Sequence, residues 1–165
     1  MSKSLILNHE EISLKLDRIA WQILEQHYGE KTIILVGLVD RGTQVATKLK
    51  TRLEKNSSLQ IELCNIAVDK KNALSREITL ENIDRLANNA VILVDDVLNS
   101  GKTMAAALKE VLNHNPKTVK TAVLANRDHH QFPIQANFVG ISLATTVKEH
   151  ISYEELDGKM SISLS

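Results

Sequence analysis

Hydrophobic positions near the start of the chain recur at helical spacing. Ile12, Leu16, Ile19, Ala20, Ile23 and Leu24 fall on one face, and Asn8 with Glu11 three residues on is a capping pair for such a helix. Gly29 is a stop signal. Leu14, Trp21 and Tyr28 lie seven apart on a flank of that face, a spacing that suits core packing as well as a subunit contact. The pattern then changes to short apolar runs alternating with helical stretches. Thr32–Val36 reads as a buried strand, followed by a loop to Gly42 and a helix through about Leu53. Leu59–Ile66 is the next strand, and the polar stretch 71–89 is ambiguous, with a helix expected around Leu80–Asn88. Ala90–Val94 is the clearest strand, followed by a loop and a helix from about Lys102 to Asn113. Thr118–Ala125 is a further strand. Gln135–Gly140 and Lys159–Leu164 read as short strands outside this rhythm.

Strands rich in Val and Ile, separated by helices, predict an α/β fold with a parallel sheet. No repeat or Pro/Gly/Ser linker divides the chain, so a single domain over residues 1–165 is expected. Its core spans about 30–128, and a small hood is made from about 129–165 with the N-terminal segment. At 165 residues, the chain is long enough to bury a real core without staples. One cysteine, Cys64, excludes a disulfide framework. No apolar run approaches the length of a membrane span and no signal peptide is evident, so a cytoplasmic protein without membrane partners is expected. Twenty basic and 20 acidic side chains leave no net charge, which counts against nucleic-acid binding.

Ligands of open α/β sheets bind beyond the C-terminal strand ends, and two loops here occupy that position. The sharper one continues Ala90–Val94 through Asp95, Asp96, Val97, Leu98, Asn99, Ser100, Gly101, Lys102 and Thr103. Two adjacent carboxylates at the end of a buried strand repel each other, which argues for a function. They accept hydrogen bonds from hydroxyls and orient magnesium-bound water, chemistry that suits a ribose diol. Hydroxyls and backbone N–H groups at the following helix start suit a phosphate. The competing reading is a nucleotide P-loop, but that motif needs glycine where Asp96 stands. The other loop, Gly37 to Gly42, contains Asp40 and Arg41. Arg41 has a forked, fixed charge for phosphate oxygens, or is a surface arginine in a tight turn.

The strand–Asp95–Asp96–loop segment resembles the 5-phosphoribosyl diphosphate (PRPP) signature of type I phosphoribosyltransferases. The resemblance implies that Asp95 and Asp96 contact the ribose hydroxyls and that Asn99, Ser100, Gly101, Lys102 and Thr103 bind the 5′-phosphate. It makes Asp40, Arg41 and Gly42 the pyrophosphate loop. Leu16–Ala20, Leu35–Gly37, Arg41–Gly42, Val91–Leu98, Ala122–Leu124, Pro133–Ile134 and Leu156–Gly158 are similar in order and spacing to the PyrR branch. Its members are pyrimidine-operon regulators that are also uracil phosphoribosyltransferases. The similarity runs from about residue 6 to the end. It implies a five-stranded parallel core with a hood, magnesium dependence through PRPP with Asp95 and Asp96, and a homodimer or higher homo-oligomer. By the same resemblance Asp95, Asp96 and Arg41 are the catalytic set, and Arg127 and Val97 lie at the base site. Arg127 reads equally as half of a hood salt bridge.

Departures from the branch bear on function. Asp17 and Trp21 stand where its regulators have Thr and His, His130 and Gln135 where they have Arg, and Ile141 where they have Lys. Each lost cation removes a potential phosphate contact, so RNA is not an expected partner. The flap has Val68-Asp69-Lys70-Lys71 where a Tyr-Arg-Asp-Asp stretch is usual. Lys70, Lys71 and Arg76 read either as a lid over pyrophosphate or as a solvated charged loop. Asn99 replaces the Asp usual in 6-oxopurine enzymes and disfavours those bases. His129 and His130 read as exposed loop histidines. The expected function is transfer of phosphoribosyl from PRPP to a nucleobase, with uracil favoured. A non-catalytic PRPP or nucleotide sensor and an RNA-binding attenuator are the alternatives.

Overall fold

The computed structural model describes residues 2–69, 71–72 and 79–165. Strand β1 (Ser4–Leu7) leads into helix α1 (His9–Gln26), which starts as its sequence dictates. Glu11 N–H donates to Asn8 Oδ1 at 2.9 Å and Asn8 N–H donates to Glu11 Oε2 at 2.8 Å, a reciprocal cap of the kind that stabilises by about 1 kcal/mol. Ile12, Leu16, Ile19, Ala20 and Ile23 are buried. Leu14, Trp21 and Tyr28 stay exposed, so they are not core residues.

After α1 come β2 (Thr32–Leu38), α2 (Arg41–Asn56), β3 (Gln60–Ala67), β4 (Thr79–Leu80), β5 (Ala90–Leu98), α3 (Lys102–Leu112), β6 (Thr118–Arg127), β7 (Phe138–Leu143), β8 (Ile151–Leu156) and β9 (Lys159–Leu164). The helix expected around Leu80–Asn88 does not form. Residues there make the short β4 and one 3-10 turn at Ile83–Arg85. Asn82 and Asn88 take left-handed φ of 55° and 61°, which a right-handed helix cannot contain.

The large sheet has the order β4-β3-β2-β5-β6-β7, with β3, β2, β5, β6 and β7 parallel and β4 antiparallel at the edge. β2 and β5 are buried nearly throughout because both faces are covered. One face packs against α1, α2 and the smaller sheet, and the other against α3 and Leu86. The parallel sheet continues past residue 128. The run expected at Gln135–Gly140 is centred about three residues later, as β7, and pairs with β6.

A second, antiparallel sheet of order β1-β9-β8 forms the hood. Its strand β8 was not singled out by the sequence pattern. Alternation buries Ile151 and Tyr153, while the intervening side chains remain partly exposed. Among the described residues no helix is long and apolar enough to cross a membrane.

Candidate functional site

Chain order in the large sheet reverses between β2 and β5. β2 is followed by β3 on one side, and β5 lies on its other side. Crevices at such switch points take ligands. The two loops singled out in the sequence follow these two strands, and Gly42 brings them together. A Cβ on Gly42 would lie 2.6 Å from Val94 O and 3.1 Å from Asp95 Oδ1, so only glycine lets α2 start this close to the end of β5. Asp40 precedes α2 without a side-chain capping bond, and Gly101, at φ 84°, precedes α3 in the same way. Neither N-cap residue covers the first N–H groups of its helix with a side chain, and in α3 only the N–H of Lys102 is taken, by Ser100 Oγ. The Val39–Asp40 peptide is cis.

Asp95 and Asp96 are successive strand residues whose side chains leave on opposite faces. Asp95 lines a pocket of about 90 Å³ with Val97, Asn99, Ser100, Gly101 and Thr103. Lys102 is not part of that wall. Its backbone N–H donates to Ser100 Oγ at 3.2 Å and tightens the turn. Asp96, only 7% exposed, lies on the hood side, where its charge helps hold the proton of Tyr153. The Tyr153 phenol donates to Glu155 Oε2 at 3.2 Å, and burial, then that carboxylate, pushes its pKa far above the ordinary value. Asp95 Oδ1 accepts the Asp96 N–H at 2.9 Å.

The loop is backed by residues 131–134. Ser100 O accepts from Gln131 N–H at 2.9 Å and Phe132 N–H at 3.0 Å, and a side chain on Gly101 would collide with Ile134. Asn99 is different. Its Oδ1 is buried and has no hydrogen-bond partner, although such atoms are normally satisfied. Asn99 and Ser100 also line a second cavity of about 410 Å³, with Arg127, His129, His130 and His150. Val97 belongs to the smaller pocket, so the two residues expected at the base site do not share one cavity. Arg127 makes no salt bridge among the described residues. Its Nε donates to Thr145 Oγ1 at 2.6 Å and its Nη2 to Thr146 O at 2.7 Å, leaving other donors of the fork for a ligand.

Arg41 is exposed and borders a separate cavity of about 360 Å³, with Gln44 of α2 and Glu154, Glu155 and Leu156 of the hood. Of the flap positions, Lys70 and Arg76 lie outside the described residues. Lys71 is exposed, and its N–H donates to Asp69 Oδ1 at 2.9 Å.

Sequence reasoning passed over several neighbours of the site. Asn65, near the C-terminal end of β3, accepts the Thr43 hydroxyl at 3.1 Å and ties the start of α2 to the sheet. The rule that pointed to β2 and β5, that strand ends face the ligand, applied to Asn65 as well. His129 and His130 are cavity wall as well as loop residues, and His130 Nε2 is 3.0 Å from Asn126 Oδ1. Nothing in the pattern marked Tyr153 or Glu155.

Magnesium chemistry fits the donors present. No group of three or more His, Cys, Asp or Glu among the described residues could hold an ion alone. Magnesium commonly takes one or two carboxylates and completes its shell with substrate oxygens and water, and Asp95 and Asp96 suit that arrangement.

Comparison with known proteins places these features in context. The phosphoribosyl transferase domain family matches residues 2–157. The Bifunctional protein PyrR of Leuconostoc mesenteroides is 33% identical, the match spanning 96% of this chain and 96% of that protein. The Bifunctional protein PyrR of Macrococcus caseolyticus is 32% identical over 98% of each chain. Among solved structures, a hypoxanthine-guanine phosphoribosyltransferase from Bacillus anthracis superposes with a TM-score of 0.71 at 19% identity, over 86% of this chain and 82% of that one. A hypoxanthine phosphoribosyltransferase from Staphylococcus aureus gives 0.74 at 16% identity, over 87% and 79%. At those identities the structural likeness speaks for the fold alone.

Proposed function

Because the chain belongs to the phosphoribosyl transferase domain family, we propose that it transfers the 5-phosphoribosyl group of PRPP to a nucleobase, releasing pyrophosphate. The observation that carries this reading is the junction at Gly42. It sets two helix N-termini without side-chain caps and the Asp95–Asp96 pair at one switch point of the sheet.

In this reading the pocket of about 90 Å³ takes the 5′-phosphate on the backbone of Ser100 to Thr103 and the hydroxyls of Ser100 and Thr103. Asp95 and Asp96 accept hydrogen bonds from the ribose hydroxyls. The bond from the anomeric carbon to the pyrophosphate oxygen breaks and its electron pair leaves with pyrophosphate. A base nitrogen bonds to that carbon, and its proton passes to water or to the departing pyrophosphate. Positive charge builds on the ribose ring, as in glycoside cleavage, so the two carboxylates act by position and electrostatics. Arg41, swung in from the hood side, and the backbone after Val39 hold the leaving group. Asp95 and Asp96 would be the residues to hold magnesium bound with PRPP, which would supply further neutralisation there.

The cavity of about 410 Å³ between Asn99, Arg127 and the three histidines is the proposed base site. Uracil is the favoured base. Relatives of the chain are named PyrR, and Asn99 supplies an amide where a carboxylate would serve 6-oxopurines. RNA attenuation is not part of the proposal. Asp17 and Trp21 stand at the α1 positions where a regulator would carry Thr and His, and Asp17 is held by Arg52 Nε at 2.7 Å.

The test is pyrophosphate release from PRPP and Mg²⁺ with uracil, adenine, guanine, hypoxanthine, xanthine and orotate in parallel. Release that depends on one base establishes the transferase. PRPP binding without release from any base points to a sensor. Asp95→Asn with Asp96→Asn should weaken PRPP binding by at least about a hundredfold, since two charge-assisted contacts are lost, while the protein stays folded. A folded double variant that retains PRPP affinity refutes the assignment.

A further inference from the structure

One short stretch of chain, residues 129–135, clamps the loop before α3 from behind. Ser100 O accepts from Gln131 N–H at 2.9 Å and from Phe132 N–H at 3.0 Å, which occupies both lone pairs of that oxygen. Ile134 fills the space that a side chain on Gly101 would need. Its Cγ2 lies 2.3 Å from the position of a Cβ there, and Phe132 O lies 3.3 Å from the same point. Gly101, at φ 84°, has no side chain to pack the turn, so the turn takes its shape from what lies behind it. The stretch is itself tied at both ends to β6. His130 Nε2 lies 3.0 Å from Asn126 Oδ1, and Thr121 Oγ1 donates to Gln135 O at 2.5 Å. Between these ties Ile134 N–H donates to Phe132 O at 2.8 Å, a tight turn that sets the isoleucine against the loop.

The same stretch is a wall of the larger cavity. His129, His130 and Gln131 line it, while Asn99 and Ser100 are common to that cavity and the smaller pocket. Ile134 lines neither. Resting on the reading of the smaller pocket as the 5′-phosphate site and the larger cavity as the base site, we propose that residues 129–134 couple the two. Ile134 is the positioning residue of the phosphate loop. A base seated against Gln131 and its neighbours steadies the two N–H groups that hold Ser100 O, and the loop backbone is then kept in the shape that the phosphate needs. The route is a chain of direct contacts, from cavity wall to Ser100 O and from Ile134 to Gly101. Such linkage is reciprocal, so a sugar phosphate in the smaller pocket tightens the base by the same factor.

Calorimetric titration of the full chain with ribose 5-phosphate, with and without saturating uracil, tests the proposal. No turnover interferes, because ribose 5-phosphate has no pyrophosphate to lose. In the native protein uracil should tighten ribose 5-phosphate by about fivefold or more. Ile134→Ala should weaken ribose 5-phosphate by about tenfold, although Ile134 lies outside the pocket, and should cut the uracil effect below about twofold. Ile134→Val keeps both γ carbons and should restore both. Val119→Ala is the control for lost stability alone. Val119 packs on the same apolar cluster as Ile134 but near the opposite end of β6, and its loss should leave both affinities native. Thermal denaturation checks that every variant is folded. A native chain that binds no ribose 5-phosphate, or no uracil, overturns the reading of that cavity and the coupling with it. Native binding of both without mutual effect overturns the coupling and leaves the two cavities as read. A folded Ile134→Ala protein with native affinity removes Ile134 as the positioning residue. So does a Val119→Ala protein that loses as much.

Discussion

At the scale of single residues the site depends on a contact that has no side chain on one partner. The atoms a methyl group on Gly42 would meet are Val94 O at 2.6 Å and the Cα and Oδ1 of Asp95, each at 3.1 Å. Two of these are backbone of a central strand, Val94 held by ladders on both sides and Asp95 by the ladder to β6, and they cannot yield as a flexible side chain would. Gly42→Ala should therefore cost about 1–3 kcal/mol in thermal denaturation, as overpacking does, and weaken PRPP binding by separating the two loops. Gly29→Ala, with no atom within 4 Å of its added Cβ, is the control and should change neither. Native PRPP affinity in a folded Gly42→Ala protein would remove this glycine from the argument. His27 sets a pH dependence of stability away from the site. It is 4% exposed, it donates from Nδ1 to Ile23 O at 2.6 Å, and burial holds its pKa below the ordinary 6.5. The folded protein binds this proton less readily than the unfolded chain, so the stability conferred by neutral His27 is complete above pH 6.5 and is lost as pH falls below it. Urea unfolding at pH 7.5 and 5.5 should show a smaller loss in His27→Gln than in the native protein; equal losses would rule His27 out as the source.

Between elements, the two strands that flank the site were the easiest to read and the hood was the hardest. β2 and β5 are apolar almost without interruption because helices cover one face and helix or hood the other, and that continuity is itself the signal. The α1 cap was equally legible, since a capping box is local chemistry. β8 went unread because three of its residues, Ser152, Glu154 and Glu155, are polar and its turn to β9 offered the clearer pattern. The stretch before β5 misled because helical composition at Leu80–Asn88 says nothing about Asn82 and Asn88 turning left-handed. Periodicity likewise placed Leu14, Trp21 and Tyr28 on one flank without deciding whether anything covers it. The acidic pair and its loop were visible because a strand end, two carboxylates and a helix start are contiguous. That Arg41 faces Glu154 and Glu155 across a different cavity from Asp95 was not visible, because it depends on where the hood docks.

Across the whole molecule, the hood and the parallel sheet share one core. Leu7, Ile151, Tyr153, Met160 and Ile162 of the small sheet pack in the same cluster as Ile12 and Leu16 of α1 and Ile92 and Val97 of β5. Lys48 Nζ, on α2, adds a partly buried ion pair with Glu155 Oε1 at 3.1 Å. Chains of this size with a continuous core unfold as a unit, so removing a hood side chain should destabilise the large sheet by the same amount. Tyr153 is fully buried, and Tyr153→Ala should lower stability by about 3–5 kcal/mol, the range for emptying an aromatic site. The informative measurement is where the loss appears. Urea unfolding followed by circular dichroism, with hydrogen exchange of β2 and β9 amides, should show one transition and equal loss of protection in both strands. If β9 exchanged freely while β2 kept native protection, the hood would be a separate cooperative unit, able to open over the switch point without disturbing the sheet. Coincident loss means that the position of Glu154 and Glu155 beside Arg41 is held by the stability of the entire fold, and that in the proposed reaction Arg41 would reach the leaving group by side-chain rotation alone.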